Sequence, residues 1–117
     1  MRILLDTHVF IWATLDDARL SPGARTLIQE ATEVYVSAAS IWEIAIKSAI
    51  GKIDVDAEDM VRAIELSGFI ELPVAASHAM KVATLPFLND HKDPFDRLLV
   101  AQSMVEPLVL LTADPKV

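Results

Sequence analysis

The sequence predicts an α/β protein whose strands form a single parallel sheet. Short apolar runs typical of buried strands alternate along the chain with longer segments of helical periodicity, which is the pattern of a parallel sheet. Two of these runs lie near the two ends of the chain and finish on an aspartate, Asp6 and Asp114. Because ligands of such sheets bind at the carboxyl ends of the strands, we expect the two carboxylates to converge on one functional crevice.

The first elements of the chain are a strand, two helices and a second strand. Residues 2–6 predict a short buried strand, followed directly by an apolar helix over 7–15. The second helix opens at Ser21 and Pro22, since serine is a favoured N-cap and proline fits the first helical position. Residues 34–36, Val-Tyr-Val, then predict the second strand.

The segment 38–50 predicts a helix at the centre of the fold. Apolar residues occur around most of its circumference, and Gly51 follows it as a helix C-cap would. We therefore expect this helix to be buried, with Trp42 in the core together with Trp12 of the first helix.

The second half of the chain continues the alternation of helices and strands. Proline and a polar cluster mark 85–92 as an irregular loop, and Glu106 and Pro107 stop a helix before the last strand. The predicted elements are a helix that starts at Asp56 and precedes Gly68, a strand over 69–72, a small helix over 75–84, a helix from Asp93 to Val105, and a strand that begins at Leu108.

Composition limits both the fold and the chemistry. The 117 residues, 1–117, suffice for a single domain with its own core, and no linker divides them. The chain has no cysteine, so any metal is held by oxygen or histidine, and Mg²⁺ or Mn²⁺ is the expected ion. Its three glycines form no glycine-rich loop, which excludes phosphate binding of the P-loop or Rossmann type.

Charge and hydropathy restrict the partners and the location. The chain carries 17 acidic and 10 basic residues, a net charge of −7, which argues against a broad basic face for nucleic acid. Divalent ions bound to clustered carboxylates would still reverse the local potential and attract phosphate. No apolar run approaches the roughly 20 residues that span a bilayer, and Asp6 interrupts any secretory signal. We expect a soluble cytoplasmic protein.

Aspartates at two strand ends point to a bound cation. The structural explanation for Asp6 is a cap for the helix that follows it. Two carboxylates a few ångströms apart repel by about 4 kcal/mol at an effective dielectric constant near 20, and a cation between them removes this cost. The pair of Asp6 and Asp114 therefore favours a metal site.

Three further acids have structural explanations that compete with a metal-binding role. Glu43 suits a capping box with Ser40 or an ion pair with Lys47, but a metal is another way to compensate a charge within an apolar helix. The residues alone leave Glu43 open. Asp93 is most simply the N-cap of its helix, and Asp96 suits either the first helical turn or a ligand role.

Several polar residues near these acids are candidates for supporting roles. Thr112 is expected to orient ligands or water. Arg97 and Lys47 either contact substrate phosphates and stabilise negative charge, or form internal ion pairs. The three histidines lack the short spacing of metal ligands, and none is assigned to the metal.

Four separated segments of the chain carry the acids discussed above. They are 4–12 (LLDTHVFIW), 40–44 (SIWEI), 91–99 (HKDPFDRLL) and 111–114 (LTAD). Together they resemble the PIN-domain ribonucleases, and among them the VapC-type toxins of toxin-antitoxin pairs. They occur in the family's order and extend over nearly the whole chain, which makes the resemblance specific.

The resemblance implies a three-layer α/β/α sandwich with an acidic pocket for Mg²⁺ or Mn²⁺. The four acids of the family correspond to Asp6, Glu43, Asp96 and Asp114, with Asp93 close enough to support them. The implied activity is metal-dependent cleavage of RNA. The implied partners are the RNA substrate, an antitoxin whose tail covers the acidic groove, and a second copy in a homodimer. Relatives continue through a short helix and a final strand, so we expect this chain to lack both.

Two other functions compete with a nuclease. A phosphatase of the haloacid-dehalogenase kind also begins with a strand-end aspartate, but it expects a second aspartate two positions later, where this chain has His8. A non-catalytic PIN-like binding module would only pair with a partner protein or RNA. The intact acidic set argues against that module, because clustered buried charge is costly to keep.

Overall fold

The fold alternates strands and helices in the predicted order. The computed structural model describes residues 1–86 and 93–113. The strands are β1 (Arg2–Leu5), β2 (Glu33–Ser37), β3 (Ile70–Leu72) and β4 (Val109–Leu111). The helices are α1 (Thr7–Leu15), α2 (Pro22–Glu30), α3 (Ala38–Ala49), α4 (Ala57–Leu66), α5 (Ala76–Val82) and α6 (Pro94–Val105).

The strands form one parallel sheet in the order β3-β2-β1-β4. In the register of this sheet, Leu5 of β1 lies beside Val36 of β2 and Leu111 of β4. The backbone N–H of Asp6 continues this pairing, since it donates to the carbonyl of Leu111 at 3.0 Å. The predicted parallel sheet is confirmed, and Asp6 lies at the carboxyl end of a central strand.

Helices cover both faces of the sheet, because successive strand residues point to opposite sides. Ile3 and Leu5 belong to one buried cluster, which includes side chains of α1, α3 and α4. Leu4 lies in a second cluster on the other face, where it packs with Leu99 of α6. The predicted three-layer α/β/α sandwich is therefore confirmed.

Polar side chains cap the amino ends of α1, α2, α3 and α6. Asp6 is the N-cap of α1 and Asp93 that of α6, as predicted for both. Ser21 caps α2, with Pro22 at the first helical position. The N-cap of α3 is Ser37, whose hydroxyl accepts from Ala39 N–H. The interpretation of Ser40 and Glu43 as a capping box is therefore wrong, since Ser40 lies within the helix.

The expectation that α3 is buried around its circumference is wrong. Its buried residues are Ala39, Ser40, Glu43 and Ile44, which lie on the side facing the rest of the fold. Trp42 is 60% exposed and touches Phe95 edge-on, with ring centroids 5.0 Å apart. Apolar residues occupy both sides of α3, so periodicity could not distinguish its buried side from its exposed side.

Within residues 1–86 and 93–113, none of the helices combines the length and apolarity needed to cross a lipid bilayer. The segments 87–92 and 114–117, and with them Asp114, lie outside the described residues.

The main core cluster predicts a large effect of Phe10→Ala. Phe10 is fully buried and meets Phe69 edge-on, with ring centroids 6.4 Å apart. Removing the ring leaves a cavity beneath α1, so the free energy of unfolding should fall by about 3–5 kcal/mol. Urea denaturation measures this loss. Leu66→Ala, at a site 85% exposed, is the matched control and should change stability by less than about 0.5 kcal/mol. Equal effects of the two substitutions would contradict this description of the core.

Candidate active site

A cleft of about 370 Å³ opens at the carboxyl end of β1. Its walls come from the start of α1, the middle of α3, the start of α6 and the chain after β4. The lining residues are Asp6, His8, Trp12, Glu43, Lys47, Asp93, Asp96 and Ala113. A larger groove of about 480 Å³ lies at the amino ends of the strands, but Glu33 is the one carboxylate among its described lining residues. The smaller cleft is lined by Asp6, Glu43 and Asp96, three of the four acids that the resemblance assigns to the site.

Asp6 is held in place by three donors from two parts of the chain. Its Oδ1 accepts from Val9 N–H at 2.8 Å, which is the capping bond of α1. Its Oδ2 accepts from the Thr112 hydroxyl and, at 3.3 Å, from Ala113 N–H. The cap explanation and a site role are thus compatible, because one oxygen serves the helix and the other faces the residues after β4. Thr112 thus holds Asp6, and its predicted role in orienting ligands or water stays a prediction.

Glu43 is buried and has a different donor on each carboxylate oxygen. Lys47 Nζ lies 2.6 Å from its Oε2, so the predicted ion pair one helical turn apart is present. The Thr7 hydroxyl lies 2.6 Å from Oε1 and 3.0 Å from the Ser40 hydroxyl. A hydroxyl has one proton and a carboxylate only accepts, so Thr7 donates to Glu43 and accepts from Ser40. These two hydrogen bonds link α1 to α3 and fix the carboxylate of Glu43.

Asp93 and Asp96 bring two more carboxylates to the cleft from the start of α6. Asp93 Oδ1 accepts from Phe95 N–H at 2.8 Å and from Asp96 N–H at 3.2 Å. The cap fixes the first turn of α6. Asp96 lies in that turn, is half-buried and lines the cleft.

Lys47 feels the charges of three acids that line the cleft. The hydrogen bond to Glu43 raises the pKa of Lys47; burial opposes this, and the negative charges of Glu43, Asp93 and Asp96 add to it. Because the folded pKa is raised, the stability from this pair is fully present below the ordinary pKa of 10.5 and is lost as the pH rises through the folded pKa. The ammonium is therefore charged and paired at neutral pH.

Arg97 points its guanidinium at the end of α5. It donates to the carbonyl of Pro86 at 2.8 Å and, at longer distance, to those of Val82 and Leu85. These bonds tie the start of α6 to the carboxyl end of α5, where cations are favoured by the helix dipole. A contact of Arg97 with substrate phosphate stays a prediction.

Comparison with known families agrees with this architecture. The profile of the PIN domain family matches residues 3–117. The chain belongs to the PIN domain family. Ribonuclease VapC22 of Mycobacterium tuberculosis is 29% identical over 113 residues, which cover 96% of this chain and 86% of that protein. The resemblance to VapC-type proteins found in the four sequence segments is thereby confirmed.

Two solved structures share the fold of this PIN domain. VapBC2 from Rickettsia felis, bound to a DNA fragment from their promoter, is 16% identical with a TM-score of 0.64, covering 99% of this chain and 90% of that chain. A toxin-antitoxin complex from Klebsiella pneumoniae is 20% identical with a TM-score of 0.67, covering 97% and 88%. At these identities the comparison establishes the PIN fold of the chain.

His8 and Trp12 line the cleft although sequence reasoning did not place them there. Their rings are neighbours on α1, with centroids 5.9 Å apart. Residues four apart share one face of a helix, so the spacing of His8 and Trp12 on the helix that starts after Asp6 was the available signal. Trp12 is half-buried, with one side against the core and another on the cleft.

The donor set of this PIN domain suits a hard divalent cation. Asp6, Glu43, Asp93 and Asp96 offer only carboxylate oxygens, the donors that Mg²⁺ and Mn²⁺ prefer. Within the described ranges, no three acidic or imidazole groups lie close enough to hold one ion as arranged. The fourth predicted ligand, Asp114, belongs to the segment outside those ranges. The carboxylate donors therefore fit Mg²⁺ or Mn²⁺. Which of them would coordinate the ion stays a prediction.

The hydroxyl that holds Glu43 predicts an effect of Thr7→Val on stability. This substitution keeps the shape of a buried side chain but removes the donor to Oε1, so a buried carboxylate loses one of its two partners. The free energy of unfolding should fall by about 1–3 kcal/mol. Urea denaturation in EDTA measures the change. Thr26→Val is the control, since Thr26 is exposed on α2; a loss no larger than in this control would contradict the assigned hydrogen bond.

Proposed function

We propose that this PIN domain is a divalent-metal-dependent endoribonuclease and acts as the toxin of a toxin-antitoxin pair. The observation that carries the proposal is the acidic cleft at the carboxyl end of β1, which gathers carboxylates from three separate elements. The similar protein of Mycobacterium tuberculosis is a ribonuclease, which supports the reaction class. The two structural neighbours, VapBC2 of Rickettsia felis and a toxin-antitoxin complex of Klebsiella pneumoniae, support the biological setting.

Asp6, Glu43, Asp96 and Asp114 are the residues that we propose would hold Mg²⁺ or Mn²⁺. When bound, such an ion polarises a phosphate and lowers the pKa of a coordinated water. The protein's own contribution is to hold the carboxylates in place. Thr112 and the α1 N-terminus fix Asp6, Thr7 fixes Glu43, and the cap at Asp93 fixes the turn that carries Asp96.

The acidity of the chain is compatible with an RNA substrate. A net charge of −7 disfavours approach of a polyanion to the bare protein. A cleft loaded with divalent cation attracts phosphate locally, whatever the overall charge. RNA binding should therefore depend on the metal, and the cytoplasm, where such a substrate is found, is the location that we propose.

Metal-dependent cleavage of labelled RNA tests the enzymatic proposal. The wild type should cut RNA in Mn²⁺ or Mg²⁺ and stop in EDTA. Asp6→Asn and Asp96→Asn should each lower the rate by about 100-fold or more, the scale on which one preorganised electrostatic contact acts. Asp54→Asn, at an exposed site outside the cleft, is the control and should leave the rate unchanged.

One observation favours a second candidate, a non-catalytic PIN-like binding module. In the part of the chain that the structure describes, the acids are spread along the cleft and Glu43 is paired with Lys47. Wild-type protein that remains folded in Mn²⁺, yet cuts no RNA and binds RNA equally well in EDTA, would support that module and contradict the nuclease.

The toxin proposal concerns a partner as well as a substrate. The excess of acidic residues suits an antitoxin with a basic segment that covers the cleft. Assembly with an antitoxin protein would then block access of RNA. The homodimer implied by the family resemblance stays a prediction.

Induced expression in bacteria tests the toxin role. Wild-type protein should arrest growth, because cleavage of cellular RNA stops protein synthesis, whereas Asp6→Asn should permit growth at the same protein level. Colony counts and immunoblots measure the two quantities. Normal growth with abundant wild-type protein that is active on RNA in vitro would contradict the toxin role while leaving the nuclease intact.

A further inference from the structure

Lys47 occupies a position in the cleft that the proposed reaction does not explain. Its Nζ lies 2.6 Å from Glu43 Oε2, one helical turn away on α3. The Glu43 side chain is only 3% exposed, whereas that of Lys47 is 28% exposed. The ammonium therefore approaches a buried carboxylate from the more open side of the cleft.

The contact between Lys47 and Glu43 affects the charge balance of the cleft. Asp6, Asp93 and Asp96 line the same cleft as Glu43, so four carboxylates share a partly desolvated space. Like charges that share a cleft repel one another more strongly where water is limited. Among the described residues that line the cleft, Lys47 is the one with a permanently charged base. Its ammonium offsets part of the repulsion when no divalent ion is bound.

We propose that Lys47 is the internal counterion of this carboxylate cleft and that its ammonium gives up Glu43 when a divalent cation binds. The inference rests on the proposed metal-dependent function. The ammonium lies 2.6 Å from Oε2 of Glu43, and a divalent cation bound at the same oxygen would repel it. The exchange is local, because Lys47 has a flexible four-carbon stem and Thr7 continues to hold the other oxygen of Glu43.

Such an exchange means that Lys47 limits the affinity of the cleft for metal. Its attraction to Glu43 in the metal-free protein is lost on binding, and its positive charge opposes a second cation in the same space. Removing the charge should therefore tighten metal binding, although it also removes a stabilising ion pair from the metal-free protein. A residue that merely supports the fold would not show both effects.

Titration calorimetry of Mn²⁺ into the full chain tests this inference. Lys47→Met should lower the Kd for Mn²⁺ about tenfold, equal to about 1.4 kcal/mol. Its melting temperature should be lower than that of the wild type in EDTA and recover in saturating Mn²⁺. Lys52→Met removes the same charge at an exposed site outside the cleft and should bind Mn²⁺ like the wild type. Lys47→Arg keeps the charge and should bind no more tightly than the wild type.

The possible results distinguish a wrong counterion role from the absence of a metal site. If the wild type binds Mn²⁺ and Lys47→Met binds equally or more weakly, the counterion role is wrong and the metal site stands. If neither protein binds Mn²⁺, both proposals are wrong. Lys47→Gln provides the same comparison should circular dichroism show that Lys47→Met is unfolded.

Discussion

The position of Asp6 is the constraint on which the rest of the site depends. Its backbone extends the pairing of β1 with β4, one carboxylate oxygen caps α1, and the other binds the chain after β4. A residue with three such connections has little freedom, and it fixes where α1 starts relative to the sheet. Thr7, the next residue, then reaches α3 and orients Glu43. The geometry of the cleft therefore follows from the end of one central strand.

Two kinds of hydrogen-bond donor stabilise the carboxylates that line the cleft. Neutral donors from hydroxyls and helix amides stabilise Asp6 and Asp93, whereas Glu43, the most buried of the described acids, also receives a full positive charge from Lys47. Neutral donors can remain when a cation binds, since each carboxylate has further lone pairs. An ammonium on the same oxygen competes with that cation. The two kinds of partner therefore have different consequences for metal affinity.

The sequence predicted the fold well because its strands and helices have strong local signals. Aspartate and serine caps, a proline at the first helical position and short apolar runs mark their ends directly, as at Asp6, Ser21 and Asp93. The exposure of Trp42 could not be predicted, because it depends on what packs against α3 and not on the composition of α3 itself. Likewise, the pairing of Glu43 with Lys47 was one of several local options until the fold excluded the capping box.

Anomalous diffraction from crystals grown with Mn²⁺ tests the central claim most directly. The account predicts a manganese peak in the cleft at the carboxyl end of β1, within coordination distance of Asp6 and at least one of Glu43 and Asp96. In the same map, Lys47 should have moved away from Glu43. A fully ordered cleft without a peak, at a manganese concentration that fills other sites, would contradict the account, as would a peak confined to the exposed acids around Asp56.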